Sequence, residues 1–227
     1  MNQTAAVVVT YNRKELLRQC ITKLLRQKGI SCDVIIIDNA STDGTEEMIH
    51  TEFNQTTVIY ENTGKNLGGA GGFEYGIEKA VRMGYEYVWI MDDDTLPEES
   101  ALAALFAVGK KLQGHWGFLS SVAYWTDDYE FTGRISRKYP CYMTSKSKVV
   151  HAMKRHTRVD FATDDASRIE RYHYIYRNDV HCYRQYGIAG WAYILLKDIY
   201  TVFHILKDAK EERWKRIRIV WKGFWEG

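Results

Sequence analysis

At 227 residues, with 45% apolar side chains and only two prolines, the chain suits one large domain or a domain with a helical appendage, and a disordered polypeptide is excluded. Its 31 basic and 29 acidic side chains leave a net charge of +2, which argues against a nucleic-acid partner. Cys20, Cys32, Cys141 and Cys182 show no CxxC spacing, so neither a zinc site nor a disulfide framework is expected and a reducing compartment fits.

The chain opens on AAVVVTYN, a β-branched run typical of a strand buried on both faces. Asn12 is expected to cap the next helix, with Glu15 at the capping-box position and Leu16, Leu17, Cys20, Ile21, Leu24 and Leu25 at helical spacing. DVIIIDN (33–39) reads as a second buried strand, and ASTDGTEEMIH offers a Ser/Thr cap and an acidic first turn to a second helix. TVIYE (57–61) is a third strand. NTGKNLGGAGGFEYGIEKAVRMG then reads as a glycine-rich turn leading into a helix with Phe73, Ile77, Ala80 and Val81 on one face. YEYVWIM is a fourth strand, and LPEESALAALFAVGKKL restarts a helix with Pro97 in its first turn.

Strands alternating with helices predict an α/β fold with a mainly parallel sheet covered on both sides, whose ligands bind at the carboxyl ends of the strands. That rule gathers Thr10 to Arg13, Asp38 and Asn39, Glu61 to Gly72, and Asp92 to Asp94 along one edge. After residue 113, HWGFLSSVAYW suggests a strand, DDYEFTGRISRK a short helix, and YPCYMTSKSKVVHAM an extended piece ending at His151. From about residue 165 the chain turns aromatic and basic, in two or more helices with wide apolar faces. A main domain over 1–160 and a helical extension over 161–227 are expected. The first apolar run is too short for a signal or spanning segment and no later stretch reaches about 18 apolar residues, so a cytoplasmic location is expected.

Asp92, Asp93 and Asp94 repel one another unless a cation neutralises them, and oxygen ligands suit Mg²⁺ or Mn²⁺. Such an ion completes its shell with water and phosphate oxygens, which implies a phosphorylated ligand. A solvated acidic turn capping the next helix through Asp94 or Thr95 is the alternative. NLGGAGG (66–72), with Asn66, Gly68 and Gly69, allows either close approach of backbone to an anionic ligand or tight packing at a turn. Asp38 and Asn39 suit recognition of a nucleobase edge or ribose hydroxyls, although Asn39 also suits a turn.

These segments, VVVTYNRKELLRQCITKLLRQ, DVIIIDNASTDGT, NLGGAGGF and WIMDDDTLPE, resemble the successive motifs of family-2 glycosyltransferases with the GT-A nucleotide-diphospho-sugar transferase fold. They are most similar to the bacterial branch of rhamnosyl- and galactofuranosyltransferases. The resemblance implies that Thr10, Tyr11, Asn12, Arg13, Asp38, Asn39, Asn66, Gly68, Gly69, Asp92 and Asp93 bind a UDP- or dTDP-sugar donor. It extends to YWTDDYEFTGRISRKYPCYMTSKSKVVHAM, which implies Asp128 as general base, Asp127 and Glu130 as acceptor contacts, and His151 as a metal ligand with Asp92 and Asp94. Without the resemblance, an acidic helix start and a structural histidine would serve for these residues. The run from Asp94 to Asp127 is shorter than in such relatives, a shortening placed between about 113 and 125.

Trp125, Arg171 and Arg177 are the candidates for acceptor binding, the two arginines lying in RYHYIYRN, which also reads as a packed amphipathic helix. RWKRIRIVWKGFWEG combines Trp214, Trp221, Phe224 and Trp225 with Arg213, Lys215, Arg216, Arg218 and Lys222. That composition fits peripheral contact with the inner face of an anionic cell membrane, or a homo-oligomer interface. The expected function is inverting, metal-dependent transfer of a sugar to a hydroxyl of a cell-surface polysaccharide or lipid-linked glycan. Its rivals are a catalytically impaired nucleotide-sugar-binding or scaffold protein and, against the position of NLGGAGG, a nucleotidyltransferase.

Overall fold

The computed structural model describes residues 2–54, 57–122, 135–152, 160–166 and 168–227. Contacts divide the chain into two compact units, Met1–Lys154 and Arg155–Gly227.

The first unit is built on a four-stranded parallel sheet. Strand β1 (Thr4–Thr10) is buried at every position because it lies inside the sheet, between β2 (Asp33–Asp38) and β4 (Tyr87–Asp92). Strand β3 (Val58–Asn62) adds to the far side of β2, giving the order β3-β2-β1-β4. Alternation sends Ala6, Val8, Val34 and Ile36 to one face. There they meet Leu17, Ile21 and Leu24 of α1 (Lys14–Leu25), Met48 and Ile49 of α2 (Thr45–Glu52) and Leu102 of α4 (Ala101–Lys111). Each large aliphatic side chain covered this way contributes about 1.5–3 kcal/mol. The other face, with Val7, Val9, Ile35 and Ile37, packs on α3 (Gly68–Arg82) through Phe73 and Ala80.

A second, three-stranded sheet places the next part of the chain. Strand β7 (Tyr142–His151) runs antiparallel to β5 (Thr95–Pro97) and parallel to β6 (Leu119–Val122). The strand expected in HWGFLSSVAYW is thus present as β6, and the extended piece ends at His151 as expected. The short helix expected in DDYEFTGRISRK lies mostly outside the described residues.

Three local expectations are corrected. Pro97 does not start a helix: it ends β5, pairs with Val149, and leaves α4 to begin at Ala101. An edge strand tolerates a residue without an amide proton, and the distant β7 supplied the partner that local propensity could not reveal. Asn12 does not cap α1; it takes a left-handed conformation (φ 54°), and its side chain accepts from the Thr42 amide at 2.7 Å. The amide of Lys14 instead donates to Asp43 at 2.9 Å, so α1 is capped from the neighbouring loop. Helix α2 likewise has no Ser/Thr cap, since Gly44 at φ 82° occupies that position.

The second unit contains α5 (Tyr172–Tyr183), α6 (Gly187–Asp208) and α7 (Arg213–Glu226). Its core gathers Phe161, Ile169, Tyr172, Tyr176, Ile205 and Val220. Arg216, counted from sequence among the surface cations of the last helix, is 3% exposed and donates to the carbonyls of Phe161, Asp164 and Glu211. Among the described residues no helix is long and apolar enough to cross a membrane.

Candidate active site

The parallel register sets Thr10 opposite Asp38 and Val9 opposite Asp92, so the loops after β1, β2 and β4 open on one edge, as expected for this sheet type. Side chains lace these loops together. Thr10 donates to Asp93 Oδ2 at 2.7 Å, and the Arg13 guanidinium donates to Asp93 Oδ1 at 3.1 Å and Asp94 Oδ2 at 3.0 Å. Asp93 and Asp94 are each 2% exposed, whereas Asp92 at the strand end is exposed. Arg13 therefore offsets the repulsion of the two buried acids. Burial still raises the Asp93 carboxyl above its ordinary value, and the charge of Asp94 adds to this against the opposing pull of Thr10 and Arg13.

One oxygen escapes this arrangement. Asp94 Oδ1 is buried without a hydrogen-bond partner, and so is Nδ1 of His151. The two side chains meet, with His151 Nε2 3.5 Å from Asp94 Oδ1. Pairing of Thr95 with His151, and donation from the Ala152 amide to the Asp94 carbonyl at 2.8 Å, bring these residues together across the chain. Buried polar atoms are costly to leave unpaired, so Asp94 Oδ1 and His151 Nδ1, on side chains that touch through Nε2, mark a place that can take a further partner. A carboxylate oxygen beside an imidazole nitrogen suits Mn²⁺, with the remaining positions filled by water or phosphate oxygens. Among the described residues there is no group of three His, Cys, Asp or Glu side chains arranged to hold a metal ion. The fit of Asp94 and His151 is to an ion that takes further ligands from water or phosphate oxygens.

The β2 end is tied differently. Asp38 is fully buried, accepting from the Ser41 amide at 2.8 Å and from the Tyr60 hydroxyl at 2.7 Å, and burial followed by this bond raises the Tyr60 phenol. Asn39 donates to the Gly68 carbonyl at 3.0 Å and accepts from the Leu67 amide at 3.4 Å. Both residues shape the loops around the edge, and Asn39 anchors the entry of α3. Tyr60 and Asp43 were not singled out from sequence, because only their cross-loop partners reveal them.

The glycines divide by role. Gly68 (φ 72°) and Gly69 have open space where a Cβ would sit, and Asn66 accepts from the Gly68 amide at 2.8 Å. A Cβ at Gly72 would lie 2.6 Å from Val9, and one at Gly76 2.4 Å from Val7, so these two let α3 press on the sheet. The first pair belongs to the helix start itself, which begins at Gly68, and not to a preceding turn. Tyr11, directly after β1, is 45% exposed. Trp125, Asp127, Asp128 and Glu130 lie outside the described residues. Arg171 and Arg177 belong to the second unit, where Arg177 sits over the Tyr174 ring at 5.2 Å while Tyr172 and Tyr176 serve the core.

The order β3-β2-β1-β4 with helices on both faces is an α/β fold, and sequence comparison narrows it. The description of glycosyl transferase family 2 matches residues 5–135. The chain belongs to that family. It is 33% identical over 97 residues to galactofuranosyltransferase GlfT1 of Mycolicibacterium smegmatis, covering 43% of this chain and 32% of that protein. Abequosyltransferase RfbV of Salmonella typhimurium is 36% identical over 102 residues, covering 43% and 30%. The chain therefore spans about a third of the length of these curated relatives. Among solved structures, mannosyltransferase PcManGT from Pyrobaculum calidifontis in complex with GDP-Man and Mn²⁺ aligns over 98% of this chain and 74% of its own, with a TM-score of 0.60 at 19% identity. S. aureus TarS 1–349 in complex with UDP-GlcNAc aligns over 97% and 70%, with a TM-score of 0.56 at 14% identity. These likenesses establish the GT-A fold.

Proposed function

We propose that this chain transfers a sugar, with inversion, from a UDP- or dTDP-sugar to a hydroxyl of a cell-surface polysaccharide or lipid-linked glycan. The observation that carries the reading is the unpartnered Asp94 Oδ1 in contact with His151, whose Nδ1 is also unpartnered. Asp94 and His151, with the exposed Asp92, would hold Mn²⁺ or Mg²⁺. Bound there, the ion would supply charge neutralisation for the departing diphosphate, a contribution of several kcal/mol.

The chain's own residues do the rest. Arg13 and Thr10 fix Asp93, and with it the loop that presents Asp92 and Asp94. Gly68 and Gly69 leave room for a diphosphate at the positive end of α3. The acceptor oxygen attacks the anomeric carbon from the face opposite the diphosphate, its proton passes to the Asp128 carboxylate, and the carbon–oxygen bond to the nucleoside diphosphate breaks. Galactofuranosyl and abequosyl transfer in the relatives' names supports a cell-envelope sugar.

A second reading is a nucleotide-sugar-binding or scaffold protein of the same fold, favoured by the short run between Asp94 and Asp127. Nucleotide release assayed with UDP- and dTDP-sugars and candidate acceptors separates the two. The enzyme reading expects turnover that Asp128→Asn lowers at least a hundredfold while donor affinity holds. Donor binding without turnover under any acceptor would favour the scaffold, and an active Asn variant would remove Asp128 from the base role.

A further inference from the structure

The second unit carries large apolar side chains that its own core does not use. Helix α6 buries only a narrow stripe, Gly190, Ile194, Asp198 and Ile205. On its opposite side Leu196 and Phe203 are each 68% exposed, and Ile199 is 52% exposed. Helix α7 buries Arg216, Ile219, Val220 and Gly223, while Trp214, Arg218, Trp221 and Trp225 follow at helical spacing along its outer side. Trp214 is 75% and Trp225 78% exposed. The two surfaces join, since Phe203 and Trp221 line one groove of about 180 Å³ between the helices.

We propose that this joined face of α6 and α7 lies in the plane of an anionic lipid bilayer, with its aliphatic and aromatic side chains at headgroup depth. Three observations select that occupant. Tryptophan combines an apolar ring with a polar N–H, which suits the boundary between hydrocarbon and water. Arg213, Lys215, Arg218 and Lys222 are all exposed on α7; Lys215 pairs with Glu170 and Glu212 and Lys222 lies 3.9 Å from Glu226, yet cations still outnumber acids on this helix beside its tryptophans. A second copy docked by two-fold symmetry would set these cations against themselves, whereas anionic headgroups complement them. No described helix can span the bilayer, so the contact is in-plane. The inference is independent of the nucleotide site.

The test is sedimentation of the full chain with vesicles of phosphatidylcholine and phosphatidylglycerol in equal parts, and with vesicles of phosphatidylcholine alone. Binding to the mixed vesicles, with a blue shift of tryptophan emission and little binding to neutral ones, is expected. Arg218→Gln with Lys222→Gln should weaken binding about 25-fold, at about fivefold per cation lost. Trp214→Ser with Trp225→Ser should reduce it strongly, and because both rings are exposed, circular dichroism should show an unchanged helix content. Absence of vesicle binding, equal binding to both vesicle types, or a dimer in sedimentation equilibrium that the Trp214→Ser, Trp225→Ser variant dissociates would each overturn the proposal.

Discussion

Arg13 shows how one side chain sets the state of an acidic edge. Its guanidinium bridges two carboxylates that are almost wholly covered, yet it is itself half exposed, so the ion pairs are partly screened. Removing it leaves two buried anions without their counter-charge. Arg13→Gln should therefore lower stability by about 1–2 kcal/mol, read by urea denaturation, and saturating Mn²⁺ should restore much of that loss if a cation binds at Asp94. A loss unaffected by Mn²⁺ would mean that the acids have no second source of positive charge. The sequence placed Arg13, Asp93 and Asp94 on one edge, because strand ends and acidic runs are local signals, whereas His151 was drawn to Asp94 only by the family resemblance. It did not reveal that Arg13 reaches the acids, nor that Asp38 is occupied by Tyr60, since those bonds join residues 80 and 22 positions apart.

Helix α3 illustrates the same division among elements. Of the face expected from Phe73, Ile77, Ala80 and Val81, Phe73 and Ala80 pack on the sheet, whereas Val81 is 62% exposed. Gly76 was less readable, because the need for a missing side chain appears only when Val7 and Ile37 are seen 2.4 and 2.9 Å from the position of its Cβ. These neighbours are buried strand side chains that cannot swing aside. Gly76→Ala should thus destabilise by about 1–3 kcal/mol in thermal unfolding, despite alanine's higher helix propensity. A stabilised variant would show that α3 can lift from β1 without cost. Strands β1, β2 and β4 were legible as continuous apolar runs, whereas Leu96 and Pro97 of β5 were taken into the following helix. So short a strand exists only through its pairing with β7.

Across the molecule, the two units differ in how they handle charge. The first covers its acids with a cation and hydroxyls. The second buries Asp198, whose carboxyl is pushed up from 3.8 to about 6 by burial and then by Asp179, with Lys197 opposing. A folded-state value above the unfolded one means that the ionised form opposes folding, so this penalty is present above about pH 6 and fades as pH falls toward 4. Because the group lies shallow in its unit, Asp198→Asn should raise stability by only about 1 kcal/mol at pH 8, with no gain at pH 4 or below. Equal gains at both pH values would contradict this origin. The helical character and basic, aromatic composition of this unit were evident in sequence. The interior position of Arg216 was not, because it depends on carbonyls supplied by Phe161 and Asp164.

On the proposed function, Asp94 and His151 would supply half of a metal site that a nucleotide diphosphate completes. Calorimetric titration of UDP and dTDP into the protein, with and without Mn²⁺, tests it most directly. Binding that requires Mn²⁺ and weakens at least tenfold in both Asp94→Ala and His151→Ala is the predicted result. Nucleotide affinity that is the same with and without the ion, and unchanged in both variants, would contradict it.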